Sequence, residues 1–416
     1  MKVLYITYDG LTDFIGQSQV LPYLIGCARA GHQLTVVSFE KSDRLARLGE
    51  VTQRACRDAG LAWLPNRFRS FPPHLAKLFD QQVMRRVAVA TQKRNNFDLI
   101  HCRSYPAAFT GLELKKRYGA ILLFDMRGFW PDQRREGGRW TDETIVGRTL
   151  YKRWKANEAA LVRDADHIIV LANSAKVEVK RWTSYNGTPV SVIPCCADFD
   201  LFRVAAHSAR VSARRRLNLQ EEAPVLAYLG STGTVYLIEQ HLRLFEAIRT
   251  HDPSARLLFI GRDEVSFVMA EARRINVALE EEEIRVVSAE RSEVPFWLGA
   301  ACAGTCFIVP TFSSKGVSPT KLAEYLACGI PVIGNRGVGD VGTIIQAIGG
   351  GHVMDDFRPD SIDAAARAFF ALRSIDREAL RHRARASLDL PQAIAAYARI
   401  YNNVQTPVSM AAWTAQ

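Results

Sequence analysis

Two side chains with a clear chemical use stand three positions apart near residue 320. Lys321 and Glu324 share one face if the segment is helical. Residues that favour a helix start or a helix end flank the pair: Ser318, Pro319, Gly329 and Pro331. An ammonium group beside free helix-start amides can bind a diphosphate, and a carboxylate further along can hold the hydroxyls of a ribose. The alternative is an exposed ion pair, which explains none of the flanking glycines and prolines.

Two loops rich in small residues could present backbone amides to an anion. One follows the apolar run Val225–Leu229 and consists of Gly230, Ser231, Thr232, Gly233 and Thr234. The other follows the first apolar run of the chain and includes Asp9, Gly10, Gly16 and Gln17. Neither loop contains the glycine fingerprint of dinucleotide-binding proteins or a P-loop. Each could also be an ordinary turn.

The segment Asp125–Trp140 mixes two tryptophans with four arginines and three acids. Aromatic rings stack on sugar faces, and arginines form paired hydrogen bonds with carboxylate or phosphate. This composition favours a polar or anionic ligand. The alternative is a surface loop held together by Trp130 and Trp140.

These segments follow short β-rich runs that alternate with amphipathic stretches. The first series of predicted strands is Val3–Tyr8, Leu34–Phe39, Ala62–Leu64, Leu99–Cys102, Ile121–Phe124, His167–Leu171 and Val190–Ile193. The second series is Val225–Leu229, Leu257–Ile260, Arg285–Val287, Thr305–Val309, Pro331–Gly334 and Gly351–Val353. Predicted helices lie between them, among them Gln19–Ala30, Asp43–Ala59, Pro73–Thr91, Thr144–Asp164 and Ser361–Leu388. Strands alternating with helices predict parallel sheets, which bind ligands at the carboxyl ends of their strands.

The two series predict an α/β protein with two Rossmann-like, doubly wound domains facing across a cleft. We expect the first domain over residues 1–200 and the second over 201–390. Pro391 begins a last helix, predicted over Gln392–Val404, and we expect residues 391–416 to pack back on the first domain.

The charge of the chain is uneven. The net charge is +11, and residues 1–200 carry 30 Lys and Arg against 20 Asp and Glu, whereas the remainder is nearly neutral. Such asymmetry favours an anionic partner for the first half: a membrane surface, a nucleic acid or an acidic substrate. The simpler alternative is a basic surface that only aids solubility.

Other features exclude several classes of protein. No apolar run approaches the roughly 18 residues that a membrane-spanning helix needs, and the apolar N-terminal stretch is too short for a signal peptide. The eight cysteines form no Cys-x-x-Cys pair, which indicates reduced, mostly buried thiols of a cytosolic protein. Asp198-Phe199-Asp200 and Asp355-Asp356 lack further ligands nearby, so no metal is predicted.

The loops and strand ends described above resemble those of retaining glycosyltransferases of family 4, the bacterial-type glycosyl transferases of group 1. Members of this family have the two-domain GT-B fold. The resemblance covers nearly the whole chain and runs in the family's order through Asp9–Leu24, Asp125–Trp140, Ile193–Phe202, Gly230–Tyr236, Ser318–Ile333 and Tyr397–Tyr401. It implies a nucleotide-sugar donor bound by the second domain and an acceptor bound by the first.

The resemblance also implies roles for individual residues. Glu324 is expected to hold the ribose hydroxyls, and Lys321 and Arg262 are expected to meet the diphosphate. The remaining donor-side residues are Gly230, Ser231, Thr232, Gly233, Thr234, Lys315, Gly316, Val317, Ser318, Pro319 and Thr320. On the first domain, Asp125, Arg127 and His101 are expected to orient acceptor and donor sugar, although His101 could equally be a buried strand-end histidine. The acceptor-side residues are Asp9, Gly10, Gly16, Gln17, Trp130, Arg134 and Arg135.

The sequence departs from the family pattern at two places. Gly316 occupies the position of the first of two glutamates, the one associated with the donor sugar. The family often has an Arg/Lys pair after the second phosphate loop, and residues 233–237 contain no cation. Lys321, Arg262 and Lys315 would then neutralise the diphosphate.

The implied mechanism retains the anomeric configuration without a metal or another cofactor. The diphosphate leaves with help from cations and helix-end amides, and the acceptor hydroxyl gives its proton to the departing oxygen. No strong base is needed, and the sequence has no obvious nucleophile–base pair. We expect Lys321 and Glu324 at an exposed helix start, so that alanine at either position abolishes transfer and leaves the fold intact.

Three alternatives remain open. An epimerase of the same fold would alter a nucleotide sugar without an acceptor. A nucleic-acid-binding protein would use the basic first half, but its basic residues are not interleaved with aromatics on one sheet face. A dinucleotide-dependent oxidoreductase lacks its glycine fingerprint. We therefore expect a cytoplasmic protein, peripheral on the inner face of the membrane, that takes a nucleotide sugar and a glycan or lipid-linked acceptor, with an anionic membrane surface and no nucleic acid as partner.

Overall fold

Two all-parallel β-sheets organise the chain, one in each of two structural units. The computed structural model describes residues 1–233 and 235–404, apart from the side chains of Pro73 and His74. The first unit comprises Met1–Pro194 together with the described residues from Pro391, and the second comprises Cys195–Leu390. Thr234, predicted to contact the donor, lies outside the described residues.

The first unit has a seven-stranded sheet in the order β3-β2-β1-β4-β5-β6-β7. Its strands are β1 Lys2–Thr7, β2 Gln33–Glu40, β3 Ala62–Arg67, β4 Leu99–Arg103, β5 Ile121–Asp125, β6 His167–Val170 and β7 Val190–Val192. Every residue of β4 and β5 is buried, as expected for central parallel strands with helices on both faces. Arg103 pairs in register with Thr7 on one side and with Asp125 on the other, so the three carboxyl ends lie side by side.

The helices of the first unit cover both faces of this sheet. They are α1 Phe14–Gln19, α2 Leu21–Arg29, α3 Ser42–Asp58, α4 Pro73–Asn95, α5 Ser104–Tyr118, α6 Trp130–Glu136, α7 Ile145–Asp164 and α8 Asn173–Lys180. The core between sheet and helices is rich in aromatic side chains, including the fully buried Phe39, Tyr105, Phe124 and Phe129.

The second unit has a six-stranded sheet in the order β10-β9-β8-β11-β12-β13. Its strands are β8 Val225–Leu229, β9 Arg256–Ile260, β10 Ile284–Val287, β11 Ala303–Cys306, β12 Val332–Asn335 and β13 Gly351–Met354. Its helices are α9 His207–Arg216, α10 Ile238–His251, α11 Val265–Arg274, α12 Val294–Leu298, α13 Thr320–Ala327, α14 Val341–Ile348, α15 Pro359–Leu372 and α16 Arg377–Leu388. Short 3₁₀ turns occupy Glu281–Glu283 and Ser313–Gly316.

The last described helix, α17, spans Leu390–Asn403 and packs on the first unit. A methyl group at Gly26 of α2 would come within 2.3 Å of the Ile394 side chain, so the two helices meet at the glycine backbone. Tyr397 contacts Tyr23 of α2 edge to face, with ring centroids 6.0 Å apart. The helix therefore covers part of the first unit's core, which leaves Tyr397 and Tyr401 buried.

Several predicted boundaries were wrong. The predicted strand Thr305–Val309 is instead Ala303–Cys306, because the chain leaves the sheet and Ile308 forms an antiparallel bridge with Tyr236. The side chain of Asn335 bonds both the N–H and the carbonyl oxygen of Ile308, which fixes this exit. Ser361–Leu388 was predicted as one helix but contains parts of two, α15 and α16, whereas Gln19–Ala30 contains α2 and only the last residue of α1. Within residues 1–233 and 235–404, no helix combines the length and the apolarity needed to cross a bilayer.

Candidate functional site

Helix α13 lies at the centre of the second unit, and its ends follow the predicted signals only in part. Gly329 has a positive φ of 66°, and a methyl group there would approach the Arg377 carbonyl oxygen to 2.5 Å, so glycine is required where the helix ends. The N-cap is Pro319, and the prediction of Ser318 as the cap was wrong. The Ser318 hydroxyl instead accepts a hydrogen bond from the Cys195 N–H at 3.1 Å.

Lys321 is buried, which contradicts the expectation of an exposed helix start. Its side chain is 7% exposed, and its ammonium nitrogen lies 4.4 Å from the ring centroid of Tyr228 and 3.9 Å from that of Tyr236. Cation–π contacts of this kind partly replace the water that the ammonium group has lost. Burial nevertheless lowers the pKa of Lys321 to about 8. No carboxylate of the described residues comes within ion-pair distance of Lys321.

The small-residue loop lies directly beside this ammonium group. A methyl group built on Gly230 would stand 3.8 Å from the Lys321 nitrogen, and Gly230 has a φ of 98° that only glycine adopts easily. The Tyr228 hydroxyl donates to the Ser231 carbonyl oxygen at 2.8 Å, and the Thr232 hydroxyl donates to Asp263 at 3.0 Å. These contacts fix the loop. The backbone N–H groups of Ser231, Thr232 and Gly233 donate no hydrogen bond within the described residues.

Arg262 is exposed and follows β9 at the same edge of the sheet. A methyl group on the preceding Gly261 would come within 2.6 Å of the Gly230 carbonyl oxygen, so the two strand ends touch. The structure therefore brings Arg262, the loop at Gly230 and Lys321 to one corner of the second unit.

Glu324 is also buried, and its partner is a residue that sequence reasoning missed. The Arg291 guanidinium donates a short hydrogen bond to the Glu324 carboxylate and lies 4.9 Å from the ring centroid of Phe202. The alternative of a Lys321–Glu324 ion pair is therefore wrong. The sequence gives little indication of this role for Arg291. It is a single cation in the loop after β10, and it lies 33 positions before Glu324.

The other donor-side residues precede α13. Lys315 and Gly316 lie in the 3₁₀ turn Ser313–Gly316, where the Lys315 nitrogen stands 4.8 Å from the centroid of the Phe312 ring. Gly316 and Pro319 are buried, whereas Val317 and Thr320 are half-buried.

In the first unit, a charged network joins the carboxyl ends of β1, β4 and β5. Arg103 is buried and donates to the carboxylate of Asp9 and to the side-chain oxygen of Gln19, each at 3.0 Å. Arg127 donates to the same Gln19 oxygen at 3.0 Å and to Asp125 at 3.4 Å. Asp9 from the first loop and Asp125 and Arg127 from the segment Asp125–Trp140 thus meet in one place through Arg103 and Gln19.

His101 and Asp125 form the buried floor of this network. The His101 ring nitrogen Nδ1 lies 2.6 Å from the Tyr401 hydroxyl, and Nε2 lies 3.5 Å from Asp125. The Tyr397 hydroxyl donates to Asp125 at 3.1 Å. Burial lowers the pKa of His101, although the Asp125 carboxylate acts in the opposite direction. Burial alone would raise the pKa of Asp125, but Arg127, His101 and Arg103 hold it well below its usual range. Both ring nitrogens of His101 thus face protein groups, which favours the buried-histidine alternative.

Asp125→Ala should lower the free energy of unfolding by about 3 kcal/mol, because the substitution removes the buried carboxylate that pairs with Arg127 and accepts from the Tyr397 hydroxyl. Chemical denaturation followed by tryptophan fluorescence measures this. The control is Asp142→Ala, which removes the partner of Arg135 at the surface and should change stability by less than about 0.5 kcal/mol. Equal effects of the two substitutions would contradict the network.

The first loop is fixed by a buried glutamate of β2. Glu40 accepts hydrogen bonds from the N–H groups of Leu11 and Thr12 at 2.8 and 3.0 Å. A methyl group at Gly10 would lie 2.6 Å from the Glu40 carboxylate, and one at Gly16 would lie 1.9 Å from the Gly10 carbonyl oxygen. The side-chain amide of Gln17 donates to the Leu11 carbonyl oxygen at 2.7 Å. The two glycines are therefore needed by the tight loop itself, and Gln17 holds it closed.

The tryptophan-rich segment is a packed aromatic cluster. The Trp130 ring lies 5.2 Å from Trp140 and 4.5 Å from Trp154, centroid to centroid. The Arg134 guanidinium lies over Trp130 at 4.8 Å, and Arg135 forms an ion pair with Asp142. These contacts favour the alternative of a loop held together by its tryptophans. Trp130 packs inside the aromatic cluster, and Arg134 covers one face of its ring.

Metal ligands were sought among the described side chains of both units. Across the part of the chain that the structure describes, no three His, Cys, Asp or Glu side chains gather as ligands. Asp198 caps the turn that follows it, accepting from the N–H groups of Asp200 and Leu201 at 2.8 and 3.1 Å. All eight cysteines are buried, and none of them forms a disulfide.

Comparison with known families identifies both units. A family model described as Glycosyltransferase Family 4 matches residues 21–201, and one described as Glycosyl transferases group 1 matches residues 210–387. No curated protein sequence matches the chain.

Solved structures share the fold at low sequence identity. Sucrose-phosphate synthase from Thermosynechococcus elongatus is 15% identical with a TM-score of 0.69, covering 96% of this chain and 98% of its own. HepE of Anabaena, solved in complex with UDP-glucose, is 13% identical with a TM-score of 0.70, covering 97% and 99%. WaaG, a glycosyltransferase involved in lipopolysaccharide biosynthesis, is 14% identical with a TM-score of 0.68, covering 96% and 100%. The chain therefore belongs to the group 1 glycosyltransferases of family 4 and has their two-domain, Rossmann-like fold.

Proposed function

We propose that this glycosyltransferase moves a sugar from a nucleoside-diphosphate donor, held by the second unit, to a hydroxyl of a glycan or glycolipid held by the first. The transfer retains the anomeric configuration and requires neither a metal nor another cofactor. The proposal places the enzyme in the assembly of a cell-surface polysaccharide or glycoconjugate.

One observation carries the donor site. Lys321 is a buried ammonium group without a carboxylate partner in the described residues, and it stands beside Gly230. A buried charge without a counterion is costly, and an anion that fits the corner removes that cost. The amides of Ser231, Thr232 and Gly233 add hydrogen-bond donors to the same corner. A diphosphate has the charge and the acceptor oxygens for this arrangement.

The same corner supplies the catalysis. Negative charge grows on the diphosphate as the bond to the sugar breaks, and Lys321, Arg262 and the loop amides stabilise it where it develops. The acceptor hydroxyl attacks on the face that the diphosphate leaves and transfers its proton to the departing oxygen. The protein therefore needs no strong base. Because the pKa of Lys321 is about 8 in the free protein, donor affinity should weaken as the pH rises above 8.

Glu324 defines the nucleoside end of the site. Its carboxylate lies one helical turn from Lys321 and is held by Arg291. It has acceptor capacity left for the two hydroxyls of a ribose. HepE was solved with UDP-glucose and WaaG takes part in lipopolysaccharide biosynthesis, so a uridine donor and a lipid-linked glycan are the first candidates to test.

On the first unit, the acceptor meets the edge formed by Asp9, Gly10 and Arg127. Arg134 and Trp130 supply a cation and an aromatic ring nearby on the same unit. The positive charge of the first half favours an anionic acceptor at the inner face of the cytoplasmic membrane rather than a nucleic acid.

Incubation with UDP-, GDP-, CMP- and dTDP-sugars tests the proposal, with and without a membrane extract as acceptor and with EDTA. We expect nucleotide release that depends on acceptor, persists in EDTA and gives a product with the donor's anomeric configuration by NMR. Conversion of the nucleotide sugar without any acceptor would instead identify an epimerase. Loss of turnover in EDTA would contradict metal independence.

A further inference from the structure

We infer that three arginines of the second unit form a binding site for a phosphate group, at the edge of the sheet opposite the donor corner. Arg210 and Arg214 lie on α9, and Arg377 lies at the start of α16. We call these three residues the arginine trio. The donor site described above uses none of them.

Two members of the trio bind neighbouring residues of the segment that leads into β11. The Arg377 guanidinium donates to the Ala301 carbonyl oxygen at 2.6 Å. The Arg214 guanidinium donates to the sulfur of the next residue, Cys302, at 3.5 Å. These two guanidinium groups therefore lie side by side.

Arg210 completes the trio. It stands four positions before Arg214 on α9, so the two side chains share one face of that helix. A methyl group built on Gly299, in the same segment before β11, would lie 3.8 Å from Cγ of Arg210. Burial, together with repulsion from Arg210 and Arg214, lowers the pKa of Arg377 to about 10. The three charges are thus held close together.

Each arginine of the trio has a buried nitrogen that donates to no atom of the described residues. These nitrogens are Nε of Arg210, Nε of Arg214 and Nη1 of Arg377. Arg214 as a whole is only 5% exposed. Among residues 1–233 and 235–404, no carboxylate comes within ion-pair distance of the trio. Buried donors are normally paired, and a buried charge without a counterion is costly, so this cluster favours an anionic ligand.

Local structure accounts for only part of the trio. The Arg214 guanidinium also donates to three carbonyl oxygens of the loop after α9, so this arginine closes that loop. Arg214 lies in the last turn of its helix, where a cation is stabilised by the helix dipole. Neither reason applies to Arg210, in the first half of α9. Arg377 lies at the positive end of α16, where the dipole disfavours a cation.

A phosphate group fits this arrangement better than a carboxylate does. Planar guanidinium groups donate paired, parallel hydrogen bonds to phosphate oxygens. A phosphate dianion also supplies two negative charges against the three positive ones, whereas a carboxylate supplies one. Arg210 and Arg377 are half-buried, so a ligand can reach their guanidinium groups from solvent. The trio recognises the phosphate alone, which can be the free ion or part of an ester.

The site is separate from the donor corner. The Cys302 sulfur also accepts a hydrogen bond from the Val225 N–H at 3.5 Å, so the trio lies at the amino end of β8. Gly230 follows the carboxyl end of the same strand. The strand between them spans roughly 13 Å, at about 3.3 Å per residue. Phosphate can therefore bind the trio while a nucleotide occupies the corner at Lys321, and the two sites can fail separately.

Thermal melts of the full chain with inorganic phosphate test the inference, with KCl keeping the ionic strength constant. At about ten times its dissociation constant, phosphate should raise the melting temperature by about 3 °C. Lys321→Met should keep this rise, because that substitution alters only the donor corner. A parallel titration with glycerol 3-phosphate distinguishes the source of the ligand: tighter binding than that of inorganic phosphate identifies an ester, and weaker binding identifies the free ion.

Two substitutions at Cys302 form a matched pair. Cys302→Asp places a carboxylate where Arg214 already donates, so it should raise the melting temperature without phosphate and remove the response to phosphate. Cys302→Asn has the same shape without the charge and should keep the response. Arg210→Met with Arg377→Met should also remove the response. Arg273→Met, which removes an exposed cation of the same unit, should keep it.

Two results would overturn the inference. One is a melting temperature that phosphate leaves unchanged in the wild type, or raises equally in the wild type and in the Arg210→Met, Arg377→Met variant. The other is a response to phosphate that Lys321→Met abolishes, which would assign the phosphate to the donor corner.

Discussion

Lys321→Met should stabilise the ligand-free protein and abolish its response to nucleotide. At pH 7 the buried ammonium group costs folding free energy, because its pKa falls from 10.5 in the unfolded chain to about 8 in the folded one. That shift corresponds to about 3 kcal/mol. Methionine has a similar shape and no charge, so the melting temperature should rise by several degrees. In the wild type we expect nucleotide to raise the melting temperature, and the methionine variant should show no such rise.

The pH dependence has a definite sign. The unfolded state holds the proton more tightly, so the cost is full below pH 8 and disappears as the pH rises towards 10.5. The free energy of unfolding of the wild type should therefore increase, through Lys321, as the pH rises from 8 to 10.5. The methionine variant should lack this increase. Thermal melts across this range measure both.

The control is Arg273→Met, which removes an exposed cation of α11 in the same unit. Its stability should change by less than about 0.5 kcal/mol, and its response to nucleotide should match wild type. A methionine variant at position 321 that is less stable than wild type, or that still responds to nucleotide, would contradict the role given to Lys321.

Glu324→Gln should remove the preference for a ribose over a deoxyribose. A hydrogen bond to a charged carboxylate contributes about 1.5–3 kcal/mol, so the affinity for UDP should fall by about ten- to a hundredfold. The affinity for 2′-deoxy-UDP should fall less, because that ligand keeps only one of the two hydroxyls. Calorimetric titration with both nucleotides gives the ratio. If GDP is the better ligand, the pair becomes GDP and 2′-deoxy-GDP.

Glu283→Gln separates this effect from a general loss of stability. Glu283 pairs with Arg249 in the same unit, at 2.7 Å and with a similarly small exposed fraction. Both variants break one Arg–Glu pair and should lose comparable stability, but only Glu324→Gln should change the ribose preference. A changed ratio in both variants, or in neither, would count against Glu324 as the ribose ligand.

The sequence predicted the architecture because the pattern that encodes it is local. Alternating strands and helices define the two sheets, and Gly329 and Pro331 mark the end of α13 within a few residues. The burial of Lys321 could not be predicted from such a local pattern. It depends on Tyr228 and Tyr236, which approach from another part of the chain through the bridge between Tyr236 and Ile308.

The contacts of Glu324 and His101 also depend on residues that are distant in the sequence. The i,i+3 spacing suggested a lysine–glutamate pair, but Arg291 from a different loop takes the carboxylate. The sequence allows two interpretations of His101, and the contact that favours one of them comes from Tyr401 on α17, 300 positions away. Spacing along one element cannot predict which side chain arrives from another.

The most direct test of the donor site is a crystal structure with the nucleotide that most raises the melting temperature among UDP, GDP, CMP and dTDP. We predict its phosphates beside the Lys321 ammonium group and the loop at Gly230, and its ribose hydroxyls on the Glu324 carboxylate. A nucleotide bound elsewhere, or one whose phosphates do not touch Lys321, would contradict the account.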